Sequence, residues 1–315
     1  MRKRLSNPNT LLFLVLLVVA LVGFSIYANT LKPELDDAAR QAAPGQFISL
    51  SQGMVHYEMR GPASAETVVL VHGLATPCFI WDNNVQALQS AGFRVLRYDH
   101  YGRGYTDRPD VVYDRDLYDQ QLLELLSKLE ITSPVHLVGE SMGGAVAVTF
   151  TARHPDKVAR LALIAPAGFP VKESLAIKFA KLPILGDGLM ALFGDRVMLE
   201  GVKEAFVDPD KLTDYEDRFK VQMRYAGFLR AILSTLRHMD MHNLVDTYQL
   251  VGRQQKPVLL LWGNKDQVLP FENSDRVRAA IPHLAFHEID GAGHNLGYEF
   301  HKIVNPLLLE FLSAK

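Results

Sequence analysis

A serine at position 141 lies in a Gly-x-Ser-x-Gly pattern, spelled Gly139-Glu140-Ser141-Met142-Gly143, directly after the apolar residues Leu137 and Val138. Glycine at both flanks permits a sharp turn from a strand into a helix, and such a turn leaves the serine hydroxyl exposed at the edge of a sheet. The N-terminus of the helix that follows also favours negative charge at this point. The pattern is common on its own. The apolar strand before it and the helical stretch after it predict that Ser141 is a nucleophile.

The predicted base and acid follow two later strands. A serine hydroxyl is a poor nucleophile until a base takes its proton, and His294 in the loop Gly291-Ala292-Gly293-His294 is the candidate base. Asp266, in the loop Gly263-Asn264-Lys265-Asp266, is the candidate acid that orients the imidazole. Asp99 and Asp290 are its rivals. Asp290 would have to fold back on its own loop, and Asp99 is predicted to hold a turn.

Attack on a carbonyl carbon creates an oxyanion, which requires preorganised hydrogen-bond donors. The backbone N–H of Met142, directly after the nucleophile, is one predicted donor. The loop His72-Gly73-Leu74-Ala75 supplies the second: the Leu74 N–H is favoured, and the Ala75 N–H is the alternative. His72 is predicted to brace this loop through hydrogen bonds to the backbone.

The composition limits the remaining possibilities. The chain has 315 residues, of which 48% are hydrophobic, enough to bury a large core. Its 33 basic and 35 acidic residues nearly balance, so no nucleic-acid partner is predicted. The single cysteine, Cys78, excludes an internal disulfide and a thiolate metal cluster, and the 11 histidines show no metal-binding spacing. The sequence therefore predicts no metal and no cofactor, and Cys78 is expected to be a buried apolar residue.

Strands and helices alternate from residue 46 onward, and they must position these residues. Residues 46–51 and 54–60 flank a Gln52-Gly53 turn and predict a hairpin. Further apolar runs predict strands at 67–71, 94–98, 135–138, 161–164, 258–262 and 285–289. Because helical stretches separate these strands, the pattern predicts an α/β fold with a mostly parallel sheet and helices on both faces. Residues 169–251 contain no buried-strand run and predict a helical insertion, the cap.

The N-terminus predicts a membrane signal. Residues 11–28 form an uncharged apolar run, close to the roughly 20 residues that span a bilayer, and predict a transmembrane signal-anchor. Arg2, Lys3 and Arg4 precede it, so residues 1–10 are expected in the cytoplasm and the catalytic domain is expected to be exported, to a bacterial periplasm. Residues 29–45 are polar and predict a tether. The alternative is cleavage of the run as a signal peptide, which would give a secreted enzyme.

Five motifs in this order resemble the α/β-hydrolase superfamily: V-L-V-H-G-L (69–74), D-H-Y-G-R-G-Y-T (99–106), H-L-V-G-E-S-M-G-G (136–144), W-G-N-K-D (262–266) and G-A-G-H (291–294). The resemblance covers residues 46–315. The S-M-G-G elbow and the membrane-anchored N-terminus are similar to monoacylglycerol lipases and related carboxylesterases. The resemblance implies an eight-stranded hydrolase core, formed by 46–168 and 252–315 around the helical cap 169–251. It also implies hydrolysis by Ser141, Asp266 and His294.

These observations predict a serine hydrolase that cleaves carboxylic esters of apolar acyl chains through an acyl-enzyme. The cap is rich in Leu, Met and Phe, which suits a fatty-acyl or aromatic chain, and an enzyme held at a membrane would meet lipid substrates there. C–C bond hydrolases of aromatic degradation share S-M-G-G and are the alternative. They need polar groups for a second carboxylate, for which Arg103, Arg224 and Arg230 are candidates. A non-catalytic ligand-binding protein is a further alternative, against which the complete triad argues.

Overall fold

The computed structural model describes residues 8–208 and 214–314. In this part of the chain, eight strands form one sheet: β1 (Gln46–Leu50), β2 (Gly53–Arg60), β3 (Thr67–Val71), β4 (Arg94–Tyr98), β5 (Val135–Glu140), β6 (Val158–Ile164), β7 (Val258–Gly263) and β8 (Ala285–Ile289). Their order in the sheet is β1-β2-β4-β3-β5-β6-β7-β8. The pairs β1-β2 and β2-β4 are antiparallel and the other pairs are parallel. The predicted hairpin and the predicted mostly parallel sheet are both confirmed.

The helices alternate with these strands along the chain. They are α1 (Pro8–Thr30), α2 (Asp37–Ala42), α3 (Asp82–Ser90), α4 (Arg115–Lys128), α5 (Met142–Arg153), α6 (Leu175–Ala180), α7 (Leu185–Glu204), α8 (Tyr215–Met223), α9 (Phe228–His238), α10 (Val245–Arg253), α11 (Asn273–Ala280), α12 (Leu296–Glu299) and α13 (His301–Ser313). Short 3-10 helices lie at Cys78–Trp81 and Pro155–Lys157.

The central strands β3 and β5 are buried along their whole length, which suits the apolar residues that form most of β3 and the centre of β5. β5 extends to Glu140, two residues beyond the prediction, because its backbone continues to pair with β6 up to Ile164. Since the parallel strands share one direction, the loops that follow β3, β5, β7 and β8 all emerge at the same edge of the sheet. This edge carries the predicted site residues.

The described residues between β6 and β7 form helices α6 to α10, in the region where the sequence predicts a helical cap. In α9 the buried residues Phe228, Ala231, Ile232 and Thr235 follow the spacing of one helix face, and this face packs on α7 and α8. α10 differs from the other four, because it contacts α5 and α11. It therefore belongs to the helix layer of the core, although all but its last two residues lie within the predicted cap 169–251.

The predicted transmembrane segment, residues 11–28, lies within α1. Among the residues that the structure describes, however, no helix has the length and apolar character needed to cross a membrane, so the transmembrane prediction is not supported. One side of α1 packs against α7, where Leu21 lies so close to Gly188 that a Cβ there would be 2.8 Å from a Leu21 methyl carbon.

Candidate active site

Ser141 lies at the turn between β5 and α5, with φ of 56° and ψ of −122°. A positive φ is strained for a residue that carries a Cβ, so the surrounding structure must hold it. Its backbone N–H donates to Ile164 at 3.0 Å, and its carbonyl accepts from Gly144 and Ala167, both at 2.9 Å. The sharp strand-to-helix turn that the glycine pattern predicts is therefore present, with Ser141 partly exposed at its tip.

Glycines allow this turn to pack backbone against backbone. A Cβ on Gly143 would lie 2.1 Å from the carbonyl oxygen of Val71, and a Cβ on Gly139 would lie 2.3 Å from the carbonyl oxygen of Gly143. The loop after β3 consequently lies directly on the nucleophile, since a Cβ on Gly73 would be only 3.3 Å from the Cβ of Ser141. The structure thus brings the predicted oxyanion loop and the predicted nucleophile together.

His294 and Asp266 are also brought together. Nδ1 of His294 lies 2.8 Å from Oδ2 of Asp266, and both side chains are buried. The other carboxylate oxygen accepts from the backbone N–H groups of Val268 at 2.8 Å and Leu269 at 2.9 Å. Because Asp266 holds Nδ1, the second ring nitrogen of His294 keeps its lone pair and can accept a proton.

The pKa of His294 is set by opposing effects. Burial alone would lower this pKa, but the charge of Asp266, its hydrogen bond and the charge of Glu140 together raise it above the ordinary value for histidine. The carboxylate of Asp266 therefore favours the protonated form of His294.

Asn264 joins the loop of the acid to the loop of the base. Its side-chain carbonyl accepts from the backbone N–H of Gly291 at 2.9 Å, and its amide donates to Asp290 at 2.9 Å. The backbone N–H of Lys265 donates to the carbonyl of Ala292 at 2.9 Å. Sequence analysis did not identify Asn264 as a functional residue. Its place in the W-G-N-K-D motif beside Asp266 was the available signal.

The two rival acids are occupied elsewhere. Asp290 is exposed and bonds to Asn264. Asp99 is buried, and its two oxygens accept from the backbone N–H groups of Cys78 at 2.8 Å and Tyr105 at 3.0 Å. In the described part of the chain, Asp266 is the carboxylate that is hydrogen-bonded to His294.

His56, Cys78 and Asp99 form a buried cluster whose potential ligand atoms lie within 4.8 Å of one another. Nδ1 of His56 lies 2.8 Å from Asp99, and Nε2 lies 2.6 Å from the carbonyl oxygen of Pro44. Both nitrogens must carry protons to satisfy both oxygens. Burial opposes this, yet the charge of Asp99 raises the pKa of His56. An imidazolium has no lone pair for a metal, so the cluster fits an ion pair that holds the loop after β4.

The oxyanion loop is braced by His72, as the sequence predicts. Its Nδ1 donates to the carbonyl of Gly73 at 2.8 Å, and its Nε2 accepts from the backbone N–H of His100 at 2.9 Å. The ring is therefore neutral, in agreement with a pKa that complete burial lowers to about 4. The carbonyl of Gly73 and the N–H of Leu74 belong to the same peptide. By bonding to this carbonyl, His72 fixes the orientation of the predicted oxyanion donor, the Leu74 N–H.

Glu140, directly before the nucleophile, is a functional candidate that sequence analysis missed. The side chain is buried, and its Oε1 has no hydrogen-bond partner in the part of the chain that the structure describes. Burial raises the pKa of Glu140 to about 8, a shift that the positive charge of His294 opposes and the charge of Asp266 reinforces. A glutamate at the end of a strand buried on both faces was the signal that could have identified it.

Comparisons with known proteins agree with this architecture. Residues 66–300 match the family described as alpha/beta hydrolase fold. A 2-hydroxy-6-oxononadienedioate/2-hydroxy-6-oxononatrienedioate hydrolase of Cupriavidus pinatubonensis is 29% identical over 289 residues, covering 87% of this chain and 97% of the relative. A hydrolase of the same description from Pseudomonas putida is 30% identical over 295 residues, covering 86% of this chain and 97% of the relative.

Among solved structures, the enol-lactonase from Burkholderia xenovorans superposes with a TM-score of 0.73 at 22% identity, covering 85% of this chain and 100% of that chain. At this identity the superposition supports the fold alone.

The hydrogen bond between Asp266 and His294 predicts which aspartate the turnover depends on. Asp266→Asn should lower the turnover of p-nitrophenyl acetate by roughly 10⁴-fold, because the imidazole loses its orienting and charge-stabilising partner. Asp290→Asn and Asp99→Asn are matched controls. They should cost far less turnover, since their side chains bond elsewhere. Near-normal turnover in Asp266→Asn, with a large loss in either control, would show that the acid is assigned wrongly.

The raised pKa of Glu140 predicts that the free energy of unfolding depends on pH. Between pH 4.5 and about 8 the unfolded chain releases the Glu140 proton while the folded protein keeps it, so the native protein loses stability across this window. Glu140→Gln removes the penalty and should be more stable by on the order of 4 kcal/mol at pH 8, at about 1.4 kcal/mol per pKa unit. Urea unfolding at pH 5, 6.5 and 8 measures this. Glu310→Gln, at an exposed position, is the control. A difference that stays constant across the three pH values would contradict the assignment.

Proposed function

Because the chain belongs to the α/β-hydrolase fold family, we propose that it is a serine hydrolase that cleaves carboxylic esters of apolar acyl chains. The observation that carries the proposal is the 2.8 Å hydrogen bond between the buried His294 and Asp266, at the same sheet edge as the Ser141 elbow. Acyl transfer requires a base held in one tautomer by a buried acid, at the sheet edge that also carries a serine on a strained turn.

The proposed mechanism assigns a role to each group. Ser141 attacks the ester carbonyl while His294 accepts the serine proton, and His294 then donates this proton to the leaving alcohol. Asp266 holds the imidazole and stabilises its charged form. The backbone N–H groups of Met142 and Leu74 bind the oxyanion of the tetrahedral intermediate. Water then attacks the acyl-enzyme by the same route, and the carboxylic acid leaves.

The arginines support an ester substrate over one with two carboxylates. Arg103 is completely buried and donates to four neutral oxygens. Arg230 bonds to Asp110 at 2.9 Å and to backbone carbonyls. Arg224 is exposed. The cations considered for a second carboxylate thus have other partners or face solvent, whereas an apolar acyl chain needs none of them.

The second candidate is hydrolysis of a C–C bond. It is favoured by the curated relatives at 29% and 30% identity, whose names describe hydrolases of 2-hydroxy-6-oxo dioates. Both reactions begin with attack on a carbonyl carbon, and they differ in whether an alkoxide or a carbon leaves. The same triad and oxyanion hole serve either reaction.

A substrate panel separates the two candidates. Purified full-length protein is assayed with p-nitrophenyl butyrate, p-nitrophenyl octanoate, a monoacylglycerol and a 2-hydroxy-6-oxo-dienedioate. We expect the highest kcat/KM for one of the three esters. Ser141→Ala should lose at least about a thousandfold in turnover while its circular dichroism stays unchanged, because alanine fits the same turn. Preference for the dienedioate by tenfold or more would replace the ester proposal with the C–C candidate.

The proposal also includes a location: the catalytic domain is exported, and the chain associates with a membrane through its N-terminal helix. Secretion after cleavage is the alternative. The uncharged residues 11–28 follow three basic residues in the sequence. Large apolar side chains of α1 are exposed, Phe13 at 64% and Val19 at 62%. An exposed apolar surface of this kind is typical of proteins that contact lipid or another protein.

Fractionation tests the location. In a bacterial host, full-length protein should sediment with membranes after a high-salt wash and keep Met1. Phe13→Asp combined with Val19→Asp should move most of it to the supernatant, because two charges on α1 oppose contact with lipid. Ile303→Asp, at an exposed apolar position on α13, is the control and should leave sedimentation unchanged. Wild-type protein that is found in the supernatant with an N-terminus near Asn29 would establish the secreted alternative.

A further inference from the structure

Arg103, in the loop after β4, is a completely buried arginine without an acidic partner within 4.0 Å in the described part of the chain. Its guanidinium donates to the carbonyls of Leu74 at 2.8 Å and Tyr101 at 3.1 Å, and to the hydroxyls of Tyr118 at 2.9 Å and Thr235 at 2.8 Å. A buried cation without a carboxylate is costly, since no ion pair repays its desolvation. The four hydrogen bonds offset part of that cost, as do the rings of Tyr113 and Tyr118, whose centres lie 5.9 Å and 5.8 Å from the guanidinium carbon.

The contact with Leu74 fixes one particular peptide. The carbonyl of Leu74 and the N–H of Ala75 belong to the same peptide, which is planar and trans, so they point in opposite directions. Arg103 holds the carbonyl end of this peptide, and His72 holds the carbonyl of Gly73 in the peptide before it. Each candidate N–H donor of the oxyanion hole is therefore fixed through the carbonyl of its own peptide. His72 fixes the Leu74 N–H in this way, and Arg103 fixes the Ala75 N–H.

The cap holds the same loop at three successive residues. Thr235 on α9 accepts from Arg103, which in turn holds Leu74. Gln222 on α8 donates to the carbonyl of Ala75 at 2.9 Å.

The third contact comes from the start of α8, where the hydroxyl of Tyr215 donates to Thr76 at 2.9 Å. The loop that lies against Ser141 is thus positioned from the cap side as well as from the core.

The hydroxyl network around Arg103 has one consistent set of proton positions. The hydroxyl of Thr235 donates to the carbonyl of Ala231 at 2.8 Å, four residues earlier in α9. It accepts from Arg103 and from Tyr118, whose oxygen lies 2.8 Å away. Tyr118 in turn accepts from Arg103. Each hydroxyl proton has one acceptor, so the network holds the guanidinium in a single orientation.

We propose that Arg103 is the positioning residue of the oxyanion hole. By holding the carbonyl of Leu74 it fixes the residue whose N–H is the assigned donor, together with the next peptide, which carries the alternative donor Ala75, and Thr235 couples it to the cap. This inference rests on the proposed function, because it concerns the oxyanion that attack by Ser141 creates. Little water screens the charge of the Arg103 guanidinium inside the protein. Its field stabilises the oxyanion and has little effect on the neutral substrate, so Arg103 acts on kcat more than on KM.

Thr235→Val removes the hydroxyl that orients Arg103 and keeps the side-chain shape. We expect about a tenfold loss in kcat, with KM changed less than about threefold, since part of one oxyanion donor's contribution of 10²–10³ is lost. The affinity for a trifluoromethyl ketone, whose adduct with Ser141 carries an oxyanion, should fall by the same factor. Thr235→Ser restores the hydroxyl and should restore both quantities.

Thr151→Val is the matched control. Thr151 is equally buried on α5, and its hydroxyl donates to the carbonyl of Ala147 four residues earlier at 2.8 Å, as Thr235 does to Ala231. Its variant loses a similar local hydrogen bond and should keep wild-type kcat and analogue affinity.

Arg103→Met and Arg103→Lys extend the series. Arg103→Met should lose about 10²–10³-fold in kcat. Arg103→Lys keeps the positive charge but lacks the planar set of guanidinium donors, so its kcat should lie between those of Arg103→Met and wild type. If the arginine variants fail to fold, the comparison of Thr235→Val with Thr235→Ser and Thr151→Val still tests the proposal.

Calorimetry with the trifluoromethyl ketone needs no turnover, so this proposal is tested even if every substrate in the panel fails. Absence of binding by the wild-type protein would count against the proposed function itself, and is thereby distinguished from a failure of this proposal. Wild-type analogue affinity in Thr235→Val, or an equal loss in Thr151→Val, would overturn it.

Discussion

The site depends on the backbone-to-backbone contact between the start of α5 and the end of β3. Gly143 has no room for a Cβ against the carbonyl oxygen of Val71, and this contact places the loop 72–76 directly on Ser141. A larger residue at 143 would push the helix away from the strand and separate the nucleophile from its oxyanion donors. The strained backbone of Ser141 persists because the same contact and the bonds to Ile164 and Ala167 hold it.

Buried charges are arranged around this contact at the edge of the sheet. Asp266 pairs with His294, and burial raises the pKa of Glu140, which lies near enough to feel the charges of both. Arg103, which has no acidic partner among the described residues, holds the oxyanion loop at the carbonyl of Leu74. Each position matches a charge that changes during acyl transfer. Positive charge develops on His294 beside two carboxyl groups, and negative charge develops on the oxyanion beside the loop that Arg103 holds. Such fixed charges act strongly because little water screens them.

The positions of Ser141, Asp266 and His294 at one sheet edge could be predicted from sequence because each residue follows a strand of a parallel sheet within a short local motif. Order along the chain then places Ser141, Asp266 and His294 at one edge. The network of Arg103 could not be predicted in this way, since its partner Thr235 lies 132 residues away and depends on how the cap packs. Glu140 was missed because the Gly-x-Ser-x-Gly pattern places no requirement on its second residue. The sequence also did not show that α10 packs on the core. An amphipathic helix can bury its apolar face against α5 as well as against other cap helices.

The proposed reaction requires Ser141 to be a nucleophile that His294 and Asp266 activate. Mass spectrometry of the full-length protein after reaction with a fluorophosphonate tests it most directly, because the reagent forms a stable bond only with an activated serine. We expect one adduct per chain, on the peptide that contains Ser141, and a strongly slowed reaction in His294→Ala. An unmodified Ser141 in protein that still turns over its substrate, or an adduct on another serine, would contradict it.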